Sequence, residues 1–349
     1  MTNERRRRTA ADAMTVVISE IARADPLHSA GVDALRQNFG ARLKVLDVPP
    51  RSSGPQIRQA YARADILVTR RLAKDAPPIP NAGLLQVPAS GFDLIEFARL
   101  PPGCRVCNLT EHGVGVGEFA LAAMLEWTIG LGTKAHDFKA GSWSHGSAVN
   151  APPHGELYGR TAAIFGFGHI GAAVATRSRA FGMRIEALTR DPSRCGSLVD
   201  RAYGPDGLAE FIDRADFLIL ACPLTEATRG LVDGPFLGRM KNTSVLINLA
   251  RAEVIHEDAL FEALQSRTIG GAILDVWWSY PSAEDPNPRP AARPFHELDT
   301  VMMTSHIASW TQGLVVRRWD AIARNIESYL SGVSLENCVF CAPTANPTR

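Results

Sequence analysis

The stretch TAAIFGFGHIG, residues 161–171, decides the fold. Five β-favouring or small residues run into GFGHIG, and AAVATRSRAFG behind them reads as a helix. Strand, glycine turn and helix are the context in which G-x-G-x-x-G holds a dinucleotide. Gly166 suits the tight turn, Gly168 lets the backbone approach a pyrophosphate, and Gly171 lets helix and strand pack closely. The helix N-terminus, at His169 and Ile170, stabilises the negative charge. A second glycine run, GVGVGE from Gly113, lacks this spacing and reads as flexible backbone entering a helix.

Working outward, the runs RIEALTR, DFLILACP, SVLINLA, GGAILDV and TVMMT follow with helical patterns between them, which makes a doubly wound unit. Upstream, TVVISEI, LKVLDV, ADILVTR, LLQVPASG and CRVCN alternate with helical patterns in the same way and predict another parallel sheet. Between the two series, Gly113 to about Ala140 predicts one long apolar helix crossing between domains, followed by a Gly-, Ser-, His- and Pro-rich loop to Gly155. LVVRRWDAIARNIESYLSG has apolar residues at helical spacing and predicts a closing helix that returns to the first domain.

A chain of 349 residues is long for one domain, so two cores are expected. With 21% charged residues and a net charge of +1, nothing calls for a nucleic-acid or membrane-surface partner. Small molecules or a second copy of the chain are the expected partners. No apolar run reaches the ~18 residues of a membrane span. The start, MTNERRRRTAADAM, has no apolar segment behind its basic cluster and does not read as a signal peptide, so a cytoplasmic protein is expected. Residues 1–12 read as a solvated, disordered arm.

Cys104/Cys107 and Cys338/Cys341 have Cys-x-x-Cys spacing, which on paper could supply four thiolates to zinc. Against a metal, Arg105 to Cys107 reads as strand, where positions three apart face opposite ways, and neither pair has the glycine turn of a zinc knuckle. Buried free thiols and no metal are the expectation.

The second strand of the dinucleotide unit ends ALTRDPSR. Where a carboxylate would hold the ribose hydroxyls of NAD, the chain offers Thr189 and Arg190, with Arg194 close behind. A hydroxyl and guanidinium groups suit a 2′-phosphate, so NADP is favoured over NAD. Asp191 keeps the NAD reading open: a strand two residues longer would place its carboxylate at the ribose.

The segments ELYGRTAAIFGFGHIG, RAFGMRI, CPLTEATRGLV, MKNTSVLINLAR, EDALFEALQSRTIGGAILDV and MTSHIA together resemble the D-isomer-specific 2-hydroxyacid dehydrogenases. The resemblance covers the second series and extends more loosely over the first. It implies an α/β fold of two doubly wound domains: a Rossmann cofactor domain, residues 119–308, inserted into a discontinuous flavodoxin-like substrate domain, residues 13–118 plus 309–349. It also implies a site in the cleft, a homodimer, and NAD(P)-dependent interconversion of a 2-oxo acid and a D-2-hydroxy acid.

On the same resemblance, Arg251 holds the substrate carboxylate, as a planar guanidinium suits. His306 is the acid and base at the carbonyl oxygen. Leu249, Ala250, Cys222, Pro223 and Asp275 fall where the family lines the nicotinamide, Asp275 accepting from its carboxamide. VPASGFD resembles the loop whose backbone N–H groups hold the substrate carboxylate, which nominates Ser90 and Gly91. Trp310 and Trp143 either line the pocket or pack, Trp143 lying in a loop that could reach a partner subunit.

One position departs from the family. Five residues past Asp275, where a glutamate partners the catalytic histidine, this chain has Tyr280. A phenol can still hold the imidazole but brings no negative charge to favour its protonated form. Three readings follow: an active dehydrogenase with a neutral partner for His306; replacement of the charge by Glu284, Asp285 or Glu111; or a protein that binds NADP(H) as a sensor without catalysis. Formate oxidation is a further enzyme reading, because formate dehydrogenases of the superfamily also carry a neutral residue there.

Overall fold

The computed structural model describes residues 13–21, 26–49, 54–282 and 284–344. The arm expected over residues 1–12 lies outside them. The chain divides into two compact units, residues 1–112 with 312–349, and residues 113–311.

In the first unit, strands β1 (Met14–Ser19), β2 (Leu43–Asp47), β3 (Ile66–Thr69), β4 (Leu84–Gln86) and β5 (Arg105–Cys107) run parallel in the order β2-β1-β3-β4-β5. That is the flavodoxin-like order. Helices α1 (Pro26–Phe39) and α2 (Pro55–Arg63) connect the first three strands. Because both faces are covered, the strands are continuous apolar runs: Val16, Val17, Ile18, Ile66, Leu67 and Val68 are all fully buried. The returning helix α9 (Gln312–Leu330) packs Trp319, Ile322 and Ile326 into the core on one face, while Ile57 and Tyr61 of α2 belong to the core of the other.

A last strand, β13 (Cys338–Cys341), adds antiparallel to β5 with Cys338 opposite Cys107. It is too short for an alternation pattern to reveal in advance. Cys107 packs in the core shared with α9 and Cys104 in the opposite one, which sets their thiols on different faces of the sheet. The expectation of four buried thiols is corrected at one pair: Cys338 and Cys341 are exposed, since β13 is an edge strand. Among the described residues no group of three or more ligating side chains comes together to hold a metal ion.

The second unit holds β6 (Thr161–Phe165), β7 (Arg184–Leu188), β8 (Arg201–Tyr203), β9 (Phe217–Leu220), β10 (Val245–Asn248), β11 (Gly271–Leu274) and β12 (Val301–Met303), all parallel, in the order β12-β11-β10-β9-β6-β7-β8. The winding reverses between β6 and β9, the switch point of a Rossmann sheet, outside whose strand ends ligands bind. Helices α5 (His169–Ala180), α6 (Leu208–Arg214), α7 (Gly234–Arg239) and α8 (Glu257–Gln265) lie between the strands in sequence. Short β8 was not anticipated.

The single helix expected from Gly113 to about Ala140 is instead two, α3 (Gly113–Ile129) and α4 (Leu131–Lys139), broken where Gly130 takes a left-handed φ of 66°. GVGVGE is also not flexible lead-in: Gly113 is already helical, and its glycines let α3 lie close on α5. A Cβ on Gly113 would stand 3.1 Å from the carbonyl oxygen of His169, and one on Gly117 2.9 Å from that of Ala173. Tight packing explains the boundary as well, because it keeps all of α3 in the 113–311 unit, whereas the sequence reading divided it at 118/119.

Candidate active site

The glycine loop sits at the β6/β9 reversal. Gly166 has φ 98°, and a Cβ there would come within 2.7 Å of the Ala221 carbonyl and of Cys222 Cα on the neighbouring crossing. On Gly171 a Cβ would stand 2.3 Å from the Gly166 carbonyl oxygen, so helix and turn meet without room for a methyl group. At Gly168 nothing lies within 4 Å of the Cβ position. That open cradle at the N-terminus of α5 is the space and field a pyrophosphate requires, and the residues present fit a dinucleotide. His169 is exposed at the mouth of the loop, and Ile170 packs partly into the core beneath. Cys222 is buried just past β9; burial pushes its thiol up to about 11, so it stays a neutral apolar wall, with Pro223 exposed beside it.

At the tip of β7 the strand ends at Leu188. Thr189 is half-buried, donating its backbone N–H to the Tyr203 carbonyl at 3.0 Å, and Arg190 and Arg194 are exposed. Asp191 does not extend the strand. Its carboxylate caps the following turn, accepting from the N–H and hydroxyl of Ser193 at 3.2 and 2.5 Å.

The polar centre of the unit comes from the carboxyl ends of β10, β11 and β12. Asn248, fully buried at the end of β10, accepts from the Ala250 N–H at 3.0 Å and donates to the Arg251 carbonyl at 3.0 Å. This clamp sets the backbone from which the half-buried Arg251 side chain leaves, while Leu249 and Ala250 stay buried. Asp275, one residue past β11 and 1% exposed, accepts from the Thr304 hydroxyl at 2.6 Å, from the Ile307 N–H at 2.8 Å and from the Ala308 N–H at 3.0 Å. A buried carboxylate needs such partners, and here they all come from the loop that carries His306.

Two residues on, the indole of Trp277 donates to the Thr304 carbonyl at 2.7 Å. Trp278 stacks on Phe295 at 5.7 Å, so both tryptophans pack. Tyr280 Oη accepts the Trp277 backbone N–H at 3.2 Å and lies 2.8 Å from His306 Nδ1. The loop is held tightly enough that His306 adopts a left-handed φ of 61°, the kind of strained backbone that persists where its surroundings over-determine it. Burial raises the Tyr280 phenol above the ordinary tyrosine range, against smaller opposing effects of the Trp277 N–H and the nearby positive charge of Arg251. Tyr280 is therefore a neutral hydroxyl at any ordinary working pH, and Arg251, Tyr280 and His306 gather at one end of one sheet.

Within the first unit, the Ser90 hydroxyl donates to the Leu109 carbonyl at 2.9 Å and lies 3.0 Å from His112 Nδ1, while Gly91 follows half-buried. Glu111 faces Arg317 at 3.7 Å and Arg324 at 3.6 Å in that same unit. The N–H groups of Glu284 and Asp285 turn onto the Ser282 hydroxyl at 3.2 and 3.0 Å, and the Asp285 carboxylate accepts from the Asn287 N–H at 3.2 Å. Trp310 is exposed just beyond the His306 loop, and Trp143 is exposed against Phe138, ring centroids 5.1 Å apart. Neither of these indoles packs in a core. Sequence reasoning missed Asn248 and Thr304; a buried polar residue closing an apolar strand was the available signal for the first.

Residues 121–308 match the family described as D-isomer specific 2-hydroxyacid dehydrogenase, NAD binding domain. The chain is 36% identical over 312 residues to a glyoxylate reductase of Pyrococcus furiosus, covering 86% of this chain and 89% of that one. It is 29% identical over 332 residues to D-3-phosphoglycerate dehydrogenase 2 of Arabidopsis thaliana, spanning 91% of its own length and 50% of that relative's. In fold it is similar to the crystal structure of a D-isomer specific 2-hydroxyacid dehydrogenase family protein from Aeromonas salmonicida, with TM-score 0.77 at 21% identity over 94% of this chain and 99% of the other. With its Rossmann sheet, open glycine cradle and the arginine and histidine of its strand ends, the chain belongs to the D-isomer-specific 2-hydroxyacid dehydrogenases, a family of NAD(P)-dependent oxidoreductases.

Proposed function

We propose that the protein interconverts a small 2-oxo acid of the glyoxylate or hydroxypyruvate kind and its D-2-hydroxy acid, using NADP(H). The observation that carries this reading is the 2.8 Å contact between Tyr280 Oη and His306 Nδ1, which orients the imidazole from its Nδ1 side. Arg251 pairs through its guanidinium with the substrate carboxylate. The nicotinamide, when bound, supplies or takes up the hydride. In reduction the imidazolium of His306 gives its Nε2 proton to the carbonyl oxygen and keeps the Nδ1 proton against Tyr280; in oxidation it takes the Nε2 proton back.

A phenol can accept from Nδ1–H or donate to bare Nδ1, so it orients the ring in either protonation state. What it does not do is favour the charged form, as a carboxylate would. Reduction requires imidazolium and fails as the pH rises past its pKa. Tyr280→Glu stabilises imidazolium and shifts this fall of the reductive rate upward by about one pH unit. A pH profile of kcat/KM for both proteins is the check, and an unmoved profile removes Tyr280 as the partner of His306.

The NADP preference rests on Thr189, Arg190 and Arg194 at the β7 tip, with Asp191 turned onto Ser193. kcat/KM is expected to be higher with NADPH than NADH, and Arg190→Ala to cut the NADPH value about tenfold with little change for NADH. Glyoxylate, hydroxypyruvate, pyruvate and bulkier oxo acids form the panel for NADPH consumption. Tight NADPH binding with no turnover on the whole panel would favour a sensor instead. Exposed Leu131, Phe138 and Trp143, on α4 and the loop after it, support a homodimer.

A further inference from the structure

We propose that Cys107 and Cys338 form an oxidative modification site, in which hydrogen peroxide joins them by a disulfide across the β5–β13 pair. The two residues are registered opposite each other, on the Asn337 side of a register shift that falls between Cys338 and Phe340. The Cys107 carbonyl points to β4, accepting from the Val87 N–H at 2.7 Å, whereas the next residue, Asn108, points to the other side and donates to the Asn337 carbonyl at 3.1 Å. This alternation puts Cys107 and Cys338 at a non-hydrogen-bonded position of the antiparallel pair, where Cα atoms approach to about 4.5 Å and side chains lie closest. That separation falls inside the span of about 4.4–6.8 Å that disulfides use.

Accessibility divides the roles. Cys338 is exposed, its thiol turned to the Phe340 carbonyl at 3.5 Å, and Cys107 is fully buried in the core under α9. Burial, with Cys338 adding to it, pushes the Cys107 thiol up to about 12. Peroxide therefore meets Cys338 first. The Cys338 thiolate attacks one peroxide oxygen, the O–O bond breaks, and sulfenic acid and hydroxide result. The Cys107 sulfur then displaces the sulfenic oxygen: the S–S bond forms, the S–O bond breaks, and the Cys107 proton leaves with that hydroxide as water. Two thiols are oxidised and one peroxide becomes two waters, the first hydroxide taking up the proton of Cys338. Cys104 packs in the opposite core and Cys341 stands across from Arg105, so neither shares this registered position.

The test treats the full chain with hydrogen peroxide and follows it by thiol counting, non-reducing peptide mapping and thermal unfolding. The expected result is loss of two titratable thiols, one intramolecular Cys107–Cys338 cross-linked peptide reversed by dithiothreitol, and a Tm higher by about 5 °C than that of the reduced protein. Cys338→Ser, at an exposed site, abolishes the cross-link, and Cys341→Ser leaves it intact. A Cys338 sulfinate without cross-link, a disulfide between two molecules, a bridge from Cys107 to Cys341, or abolition by Cys341→Ser overturns the proposal.

Discussion

His306→Asn lowers kcat for oxo-acid reduction roughly a thousandfold while NADPH binding, read by fluorescence titration, is unchanged. Asparagine is the informative replacement because position 306 has φ 61°, a conformation that asparagine tolerates far better than alanine, leucine or valine. The backbone of the loop is thus kept, along with the three hydrogen bonds that Asp275 receives from it. What disappears is the proton carried at Nε2 and the contact of Nδ1 with Tyr280. The loss should appear in kcat rather than in KM, because proton transfer is made only in the transition state. A fall of less than tenfold would remove His306 as the acid and base.

Asp275→Asn gives the second large effect, by a different route. The carboxylate accepts from the Thr304 hydroxyl and the Ile307 N–H on one oxygen and from the Ala308 N–H on the other. An amide has the same shape, but one of its two ends can only donate. Either the Ala308 N–H or the Ile307 N–H then faces another donor in a site that is 1% exposed, and a buried polar group left unpaired costs about 1–3 kcal/mol. The loop relaxes and His306 moves, so kcat is expected to drop about a hundredfold. Tm should fall as well, which separates this variant from His306→Asn. Equal Tm and near-normal kcat would mean that the loop keeps its shape without the charge.

Much of the architecture is legible in the sequence because parallel strands covered on both faces must be apolar throughout, and ILVT, FLIL, VLIN and GAIL announce themselves in that way. Three-residue β8 and edge strand β13 carry no such signature, since a strand at a sheet edge keeps one side in solvent. The break at Gly130 hides between two stretches that each read as helical, where only the glycine itself hints at a left-handed residue. The glycine loop is readable position by position, because Gly166 and Gly171 each answer to a distinct close contact and Gly168 to open space.

The end of the sheet that carries Arg251, Tyr280 and His306 is legible in a different sense. Pairing of Tyr280 with His306 spans separate loops, and spacing alone does not reveal it; the family resemblance does. The work of Asp275 on the Ile307 and Ala308 N–H groups was invisible from either side, because backbone donors leave no mark in the choice of residue. The engagement of the Ser90 hydroxyl with the Leu109 carbonyl and His112 was hidden for another reason, the distance between these residues along the chain.

The order in which the chain is made also matters. The first unit receives Trp319, Ile322 and Ile326 of α9, and the strand that covers β5, only after residues 113–311 have been synthesised. Until then its earlier strands emerge with half of one core missing and β5 as a bare edge, the state in which nascent sheets pair wrongly. The inserted Rossmann unit has all seven strands in one continuous stretch and can complete itself first. On the ribosome, the unit encoded second can therefore be finished first.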